Sequence, residues 1–347
     1  MKDQLVKRKI TKWPEQDLEI VSFCPACSSQ RKALLHSDLV DRLFQAEGEW
    51  NLYKCQDCQS AFLNPRPSEE SIHRAYQLYY THNCKVDNIS NIYNRMMKAS
   101  SNAYLNAKMG TKLLPQIAAL AWLQLLCPGK VEMLEAKFRL LPHLNLGNRL
   151  LDVGCGSGDF LALAASAGWE TVGVDPDPLA VAEARTHGHV VYEGDIASVS
   201  GEKPFNAITL SHVIEHVHDP ILLLETCYGL LGEGGHFWIQ TPNIGSDGHR
   251  RYGRNWRGLE PPRHLTIFSR TSLIALLQKA GFKEICDAPW APQREALFPV
   301  SEALSRGSIN PNNASSARFR RYWLRMVERF SCRSPATREF ITLVATK

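Results

Sequence analysis

The chain has 347 residues, 44% of them apolar and 22% charged, with a formal net charge of +5. That balance fits a globular protein rather than a disordered, collagenous or membrane-embedded one, and the length suits a large α/β domain with a smaller module attached. The longest apolar run, Leu113 to Cys127, is broken by Pro115, Gln116 and Gln124 and is too short to span a bilayer.

The chain begins with Lys2, Lys7, Arg8 and Lys9. No apolar h-region follows, so a secretory signal is not expected and the chain is read as cytoplasmic. Four of its ten cysteines form two C-x-x-C pairs, Cys24/Cys27 and Cys55/Cys58, and the rest are scattered. A reducing compartment with one metal site explains this better than a disulfide framework. Each pair presents two thiolates from a tight turn, and two such knuckles make a closed tetrahedral site for Zn2+. With no position left open, the metal is expected to be structural, stiffening a module at 20–65 that has little core of its own. No basic and aromatic stripe accompanies it, so nucleic acid is not an expected partner.

Residues 66–145 read as a helical linker or lid, with Tyr76, Tyr79, Tyr80 and Tyr93 and an amphipathic stretch at 112–126 around Trp122. That stretch is expected to be a lid or interface helix rather than a membrane element. From 149 to 290, strands and helices alternate at short spacing, which implies a parallel sheet. The expected strands are 149–153, 170–175, 189–193, 206–211, 236–241 and 282–287. Helices start near Asp159, Pro178, Asp219 and Ser269. Asp219 is a good N-cap with Pro220 at the first helical position, and Gly232 or Gly234 ends that helix. "REFITLVATK" (338–347) alternates as a strand and is expected to pair back into the sheet, which makes 291–337 an insertion. From Ala291 onward nine Arg and one Lys face four Glu, an excess of six positive charges. This is either a solvated helix face or a contact surface for an anionic partner.

The chemistry concentrates in "LDVGCGSGDFLALAASAGWETVGVDPDP" (151–178), a strand, a glycine-rich turn, a helix and a strand. A dinucleotide fold needs G-x-G-x-x-G. Here the glycines are Gly154, Gly156 and Gly158, directly after Asp152. A carboxylate at that strand end repels a pyrophosphate but suits a cationic amino group. S-adenosylmethionine offers an amino group, a carboxylate and a sulfonium, and no phosphate. Asp175 ends the second strand, where an acid can accept both ribose hydroxyls.

"LDVGCGSGDFL" resembles motif I of the class I S-adenosylmethionine-dependent methyltransferases. "VGVDPDP", "YEGDI" and "AITLSHVIEHVHDP" resemble the family's ribose, adenine and pocket-closing segments, in its order. The resemblance implies a Rossmann-like α/β fold: a seven-stranded sheet with its last strand antiparallel, spanning 146–347. It implies that Gly154 and Gly156 approach the methionine moiety, with Asp152 under its amino group. Asp175, with Pro176 beside it, takes the ribose; Asp195 and Ile196 flank the adenine; and Ser211 or His212 lies near the sulfonium. Cys155 belongs to the turn by its backbone, its side chain reading as a small filler. Asp177 reads as a helix cap, and Gly158 equally as close packing or cofactor contact. "NPRPS" after the second knuckle resembles a bacterial group that carries a zinc ribbon ahead of this core and is associated with glycan or secondary-metabolite synthesis.

The acceptor is expected beyond the carboxyl ends of the strands. The loop after 236–241 carries five Arg against Asp247 and Glu260 between Ser246 and Arg263. Arg254, Trp256, Arg257 and Arg263 are therefore candidate ligands for an anionic acceptor such as a sugar nucleotide or phosphorylated glycan precursor. His264 is the first candidate base, since a neutral-range imidazole can take a hydroxyl proton. His212, Glu215 and His216 partly match the E-x-x-E-H metal motif of ubiquinone-pathway O-methyltransferases. The reading is methyl transfer from S-adenosylmethionine, most simply to an oxygen of a small-molecule or glycan-precursor acceptor expected to be anionic. The alternatives are a quinone or phenol O-methyltransferase, a sugar C-methyltransferase, or a non-catalytic module that binds nucleic acid.

Overall fold

The computed structural model describes residues 12–77, 92–126, 128–142, 148–289, 291–308, 318–331 and 334–347. Tyr79, Tyr80, Cys332 and most of the polar loop at 308–317 lie outside them. Five short strands come first: β1 (Leu18–Glu19), β2 (Lys32–Leu39), β3 (Trp50–Cys55), β4 (Ala61–Leu63) and β5 (Arg66–Pro67). β2, β3 and β4 form an antiparallel meander, and β1 pairs with β5. The two C-x-x-C turns are closed by Ser28 N donating to Cys24 O at 2.8 Å and Gln59 N donating to Cys55 O at 3.2 Å.

The helical stretch holds α1 (Ile92–Met109), a 3-10 segment at Ala118–Leu126 and α2 (Pro128–Ala136). The expected helix at 112–126 is thus only partly helical. Pro115 interrupts it, lacking an N–H for the ladder. Asn102 Nδ2 donates to Pro115 O at 2.9 Å and Asn106 Nδ2 to Leu113 O at 3.0 Å, so α1 side chains take carbonyls a helix would use.

The remaining elements are β6 (Arg149–Val153), α3 (Asp159–Ser166), β7 (Glu170–Asp175), α4 (Pro178–Thr186), β8 (Val190–Glu193), β9 (Phe205–Ser211), α5 (Pro220–Leu230), β10 (Leu231–Pro242), α6 (Asp247–Tyr252), β11 (Thr266–Ile267), α7 (Arg270–Lys279), β12 (Lys283–Asp287), α8 (Arg294–Ser305), α9 (Arg318–Ser331) and β13 (Phe340–Thr346). Seven strands form one sheet in the order β12-β13-β10-β9-β6-β7-β8. β13 runs antiparallel to both neighbours, and the other pairs are parallel. The central strands are buried on both faces, which explains runs such as "LLDV" and "AITL". Helix starts follow their caps: Asp177 accepts from Leu179 N at 2.9 Å and Asp219 from Leu222 N at 3.1 Å. β10 starts five residues before the expected 236, because "LGEGG" joins it as an irregular stretch between Leu231 and His236.

β11 leaves this domain and adds to the N-terminal meander, giving a four-stranded sheet β11-β4-β3-β2. Thr266 pairs with Phe62, Ile267 with Ala61, and Leu63 N donates to Leu265 O at 3.1 Å. The second C-x-x-C turn also meets the start of α7: Ser269 Oγ donates to Cys58 O at 2.7 Å, and Ser60 Oγ lies 2.6 Å from Ser272 Oγ. One apolar core runs through both parts, joining Val21, Cys55 and Phe62 to Phe268, Leu273 and the face of the large sheet. Among the described residues no helix is long and apolar enough to cross a membrane.

A shared core predicts shared unfolding. Phe62→Ala, a fully buried ring lost at the junction, should cost about 3–5 kcal/mol in urea unfolding. The transition should stay single when followed by both tryptophan fluorescence and far-UV circular dichroism. Two separated transitions would show that the module and the domain fold independently.

Candidate active site

β6 delivers Asp152 and then the turn. Gly154 and Gly156 have φ of +70° and +54°, a left-handed backbone that favours glycine. A Cβ at Gly156 would enter open space, whereas one at Gly158 would sit 2.8 Å from His189 Cδ2 and 3.3 Å from Ala184 Cβ. Gly158 therefore serves close packing of α3 on α4. Asp175, at the tip of β7, accepts from Gly156 N at 2.8 Å and from Asp177 N at 2.9 Å, which ties the strand end to the turn. Cys155 points its side chain into a small apolar cluster with Leu161, Val181 and Val191, and burial pushes its thiol pKa up. Pro176 is exposed beside Asp175. Asp195 caps the following 3-10 turn through Ala197 N at 3.0 Å, and Ile196 is buried behind it.

Asp152 is buried, and its surroundings differ from the expectation. Arg139, from the turn after α2, forms an ion pair with Asp152 Oδ1. Arg139 also donates to Thr209 Oγ1 at 2.9 Å, and Thr209 Oγ1 donates to Asp152 Oδ1 at 2.8 Å. Asp152 Oδ2 is buried without a hydrogen-bond partner. Burial raises the Asp152 pKa, opposed by Arg139 and Thr209. The guanidinium lies 3.6 Å from the Phe160 ring centre and 5.3 Å from that of Trp238. Nothing in the linker sequence distinguishes Arg139; only the path of the chain brings it beneath the turn.

A cavity of about 470 Å³ opens beside this pair, lined by Arg139, Phe160, Ser211, Trp238, Gln240 and Phe340 among others. It stands at the carboxyl ends of β9 and β10, where open α/β sheets bind ligands. His212 follows Ser211 at a φ of +56°. Its ring packs edge-on against Phe340 with centroids 4.6 Å apart, and its Nδ1 lies 3.2 Å from Glu215 Oε1. Glu215 is buried and accepts from Thr241 Oγ1 at 2.8 Å. Burial pushes its pKa up, but the His212 hydrogen bond and the neighbouring imidazoles bring it down to about 2.

His264 and His216 are placed differently. His264 is buried, its Nδ1 2.8 Å from Gly258 O and its Nε2 3.5 Å from Glu260 Oε2. His216 Nδ1 contacts Arg263 O at 3.0 Å and Tyr76 Oη at 3.1 Å. Glu215, His216 and His264 each bring one ligand atom within 4.8 Å of the others. His212, the first member of the sequence motif, is not in that group: its ring faces Phe340. In the N-terminal module, Cys24 Sγ and Cys58 Sγ are 3.6 Å apart, as are Cys27 Sγ and Cys55 Sγ, and all four sulfurs lie within 4.8 Å.

The arginine-rich loop, expected to hold an anionic acceptor, makes contacts within the chain. Arg254 Nη2 donates to Ser37 O and Asp38 O at 3.1 and 2.9 Å. Arg257 pairs with Glu260. Arg263 is buried and donates to Asp41 Oδ2 at 2.8 Å and Ala75 O at 3.0 Å. Trp256 is buried and donates to Glu339 Oε2 at 3.1 Å. Arg254 and the buried Arg263 fasten the loop to the N-terminal module, whereas Arg257 pairs within the loop.

Glu339 sits behind this loop, accepting from Gly248 N at 2.9 Å and from Trp256. Burial lifts its pKa to about 7, opposed by the Gly248 hydrogen bond and Arg294. Glu328, which accepts from Arg294 N at 3.0 Å at the start of α8, is also lifted to about 7 by burial. A carboxyl pKa raised on folding means that the native state holds a proton the unfolded state has lost. Its stabilising contribution is present below about pH 4.5 and is lost as pH rises through 7. Urea unfolding between pH 5 and 8 should therefore show a component that falls with pH, and Glu328→Gln with Glu339→Gln should flatten it. An unchanged slope in the double variant would refute this assignment.

The family model described as a methyltransferase domain matches residues 130–286. The ubiquinone biosynthesis O-methyltransferase of Xanthomonas campestris pv. campestris is 34% identical over 105 residues, 28% of this chain and 44% of that protein. That of Alkalilimnicola ehrlichii is 35% identical over 106 residues, 28% of this chain and 42% of that protein. The chain thus spans less than half the length of these curated relatives. A possible histamine N-methyltransferase of Thermotoga maritima aligns with a TM-score of 0.43 at 20% identity, over 65% of this chain and 92% of that one. Phosphoethanolamine N-methyltransferase 2 of Haemonchus contortus gives 0.43 at 18%, over 83% and 62%. With the turn after β6, the acid ending β7 and a seven-stranded sheet whose last strand is antiparallel, this chain carries a methyltransferase domain of the class I fold.

Proposed function

We propose that the protein transfers a methyl group from S-adenosylmethionine to the hydroxyl of a small, largely apolar aromatic acceptor. The observation that carries the cofactor half is the Arg139–Asp152 pair. The cofactor's methionine end is a zwitterion. Asp152 has a buried oxygen without a partner, Arg139 brings a guanidinium beside it, and Gly156 leaves room for close approach. Opposite charges held side by side match an amino group and a carboxylate on one carbon. Asp175 stands at the strand end where a ribose is read. When bound, the cofactor supplies an electrophilic methyl group on a cationic sulfur.

The acceptor half rests on the cavity. Its walls include Met133, Phe160, Leu163, Trp238 and Phe340, with Ser211, Gln240 and Gln293 as polar points and Lys137, Arg139 and Asp159 as charged ones; the aromatic and aliphatic walls favour a ring that also offers a few hydrogen-bonding groups. The curated relatives named O-methyltransferases of ubiquinone biosynthesis support the same class. The anionic glycan-precursor reading rests on Arg254, Arg257 and Arg263, which hold partners within the chain. His212 is the proposed base in place of His264. Glu215 holds its Nδ1, which leaves Nε2 to take the hydroxyl proton as the oxygen attacks. His264 is enclosed, and burial lowers its pKa to about 4.

We also propose a structural zinc ion at Cys24, Cys27, Cys55 and Cys58. A tetrahedral ion with Zn–S near 2.3 Å sets its sulfurs about 3.8 Å apart, close to the 3.6 Å separations seen. Its role would be to hold the meander that β11 completes.

Calorimetry tests the cofactor reading. S-adenosylmethionine should bind the protein, and Asp152→Asn or Arg139→Met should weaken it about 10- to 100-fold, the worth of one charged hydrogen bond. NAD uptake without S-adenosylmethionine binding would end the proposal. Release of S-adenosylhomocysteine with a panel of catechols and phenols tests the acceptor. His212→Gln should lower kcat at least about 100-fold with cofactor affinity unchanged; an unaffected kcat removes His212 as the base. Metal analysis should find one zinc per chain in the protein and none in Cys24→Ser/Cys58→Ser.

A further inference from the structure

The segment between α1 and α2 is amphipathic in the reverse sense. Leu114, Trp122, Leu125 and Leu126 each leave more than half of their surface exposed, and Ile117 is also exposed. The buried residue of the 3-10 segment is instead polar: Gln124 is fully enclosed and donates to Ser100 Oγ. Ser100 in turn donates to Leu120 O at 2.7 Å. The segment is thus pinned to α1 through polar groups, and its apolar side chains point outward. Scattered apolar residues on a surface need no explanation, but a contiguous group does.

Within the stretch itself the charge is basic, and the nearest acids, Glu132 and Glu135, lie just beyond it on α2. From Ile92 to Val131 the chain carries Arg95, Lys98, Lys108, Lys112 and Lys130 and no acidic residue, five positive charges against none. α2 packs on the segment, and Arg329 of α9 reaches α2 through Glu132 at 2.9 Å. α9 exposes Trp323, while its Arg320 and Arg325 pair with Glu302 and Glu295. We propose that the face formed by residues 114–126 and α9 docks on the surface of an anionic lipid bilayer. Exposed leucines and tryptophan beside lysine and arginine suit the headgroup region, where apolar side chains enter and the cations meet anionic lipid. A second copy of this chain is a poorer occupant, because its matching face would carry the same positive charge.

The location bears on the acceptor. Met133 and Ala136 of α2 and Lys137 just after it form one wall of the cavity beside Arg139, and Ala291, Pro292, Gln293 and Ala296 form another. The bilayer would thus lie next to the element that borders the cavity, within reach of an apolar acceptor held in lipid. This last step rests on the proposed acceptor class; the docking does not.

Co-sedimentation of the full chain with vesicles tests the docking. At 50 mM salt the protein should pellet with phosphatidylcholine vesicles containing about one third phosphatidylglycerol and stay in solution with phosphatidylcholine alone. Raising salt to about 0.5 M should weaken the binding. The variant Trp122→Ser/Leu125→Ser/Leu126→Ser should partition at least 10-fold less while keeping its thermal melt and S-adenosylmethionine affinity. No pelleting of the wild-type chain with anionic vesicles, or equal pelleting of the variant, would overturn the proposal. So would light scattering that shows a dimer in the wild type and a monomer in the variant. Absence of S-adenosylhomocysteine release with phenols would count against the acceptor reading alone.

Discussion

The structure depends on a two-residue strand placed in a foreign sheet. β11 leaves the methyltransferase domain to complete the meander of the N-terminal module, and β4 is its partner. Antiparallel pairing leaves little freedom of register where one face is buried, because a one-residue slip exchanges core and solvent sides. Phe62 and Ile267 are both buried at this junction. The chain entering β11 is therefore held in place from two directions: Leu265 N donates to Glu215 O at 2.8 Å on the domain side, and Leu63 N meets Leu265 O on the module side. The cysteine knuckles lie at the base of the same meander. A small module with few apolar layers thus helps to fix the backbone that Glu215 touches.

The second organising interaction is the buried ion pair beneath the glycine turn. Buried pairs are weak evidence for stability, since desolvation offsets attraction. Here one carboxylate oxygen is engaged by Arg139 and Thr209 while the other has no partner. Such an incomplete network is costly in a resting protein. It is reasonable in a site that waits for a cationic group, and the same guanidinium offers the complementary charge. Phe160 and Trp238 flank the arginine, so its position is set by packing as well as by charge.

The arginine loop illustrates how a charge pattern can mislead. Five arginines interleaved with aromatics read as a surface for an anionic ligand. Three of the four site candidates drawn from this loop are arginines that face partners in the chain, and the fourth, Trp256, is enclosed against Glu339. The partners Asp41, Ser37 and Asp38 lie more than two hundred positions earlier in sequence. No periodicity or spacing links such distant residues. Three of its arginines hold partners within the protein, and the open cavity combines apolar walls with Lys137, Arg139 and Asp159.

By itself the sequence determined the seven strands of the large sheet, the glycine turn after Asp152 and the grouping of four cysteines. Each is encoded locally: apolar runs mark buried parallel strands, caps mark helix starts, and short spacings bring thiols together. Only the tertiary structure decided that Arg139 sits under the turn, that β11 belongs to the other sheet, that His264 is enclosed while His212 packs on Phe340, and that residues 114–126 turn their apolar side outward. These outcomes depend on which distant groups compete for the same buried volume and the same hydrogen bonds. That competition is settled only when the whole chain has packed, because a charge or an imidazole takes its role from the partners and burial it ends up with.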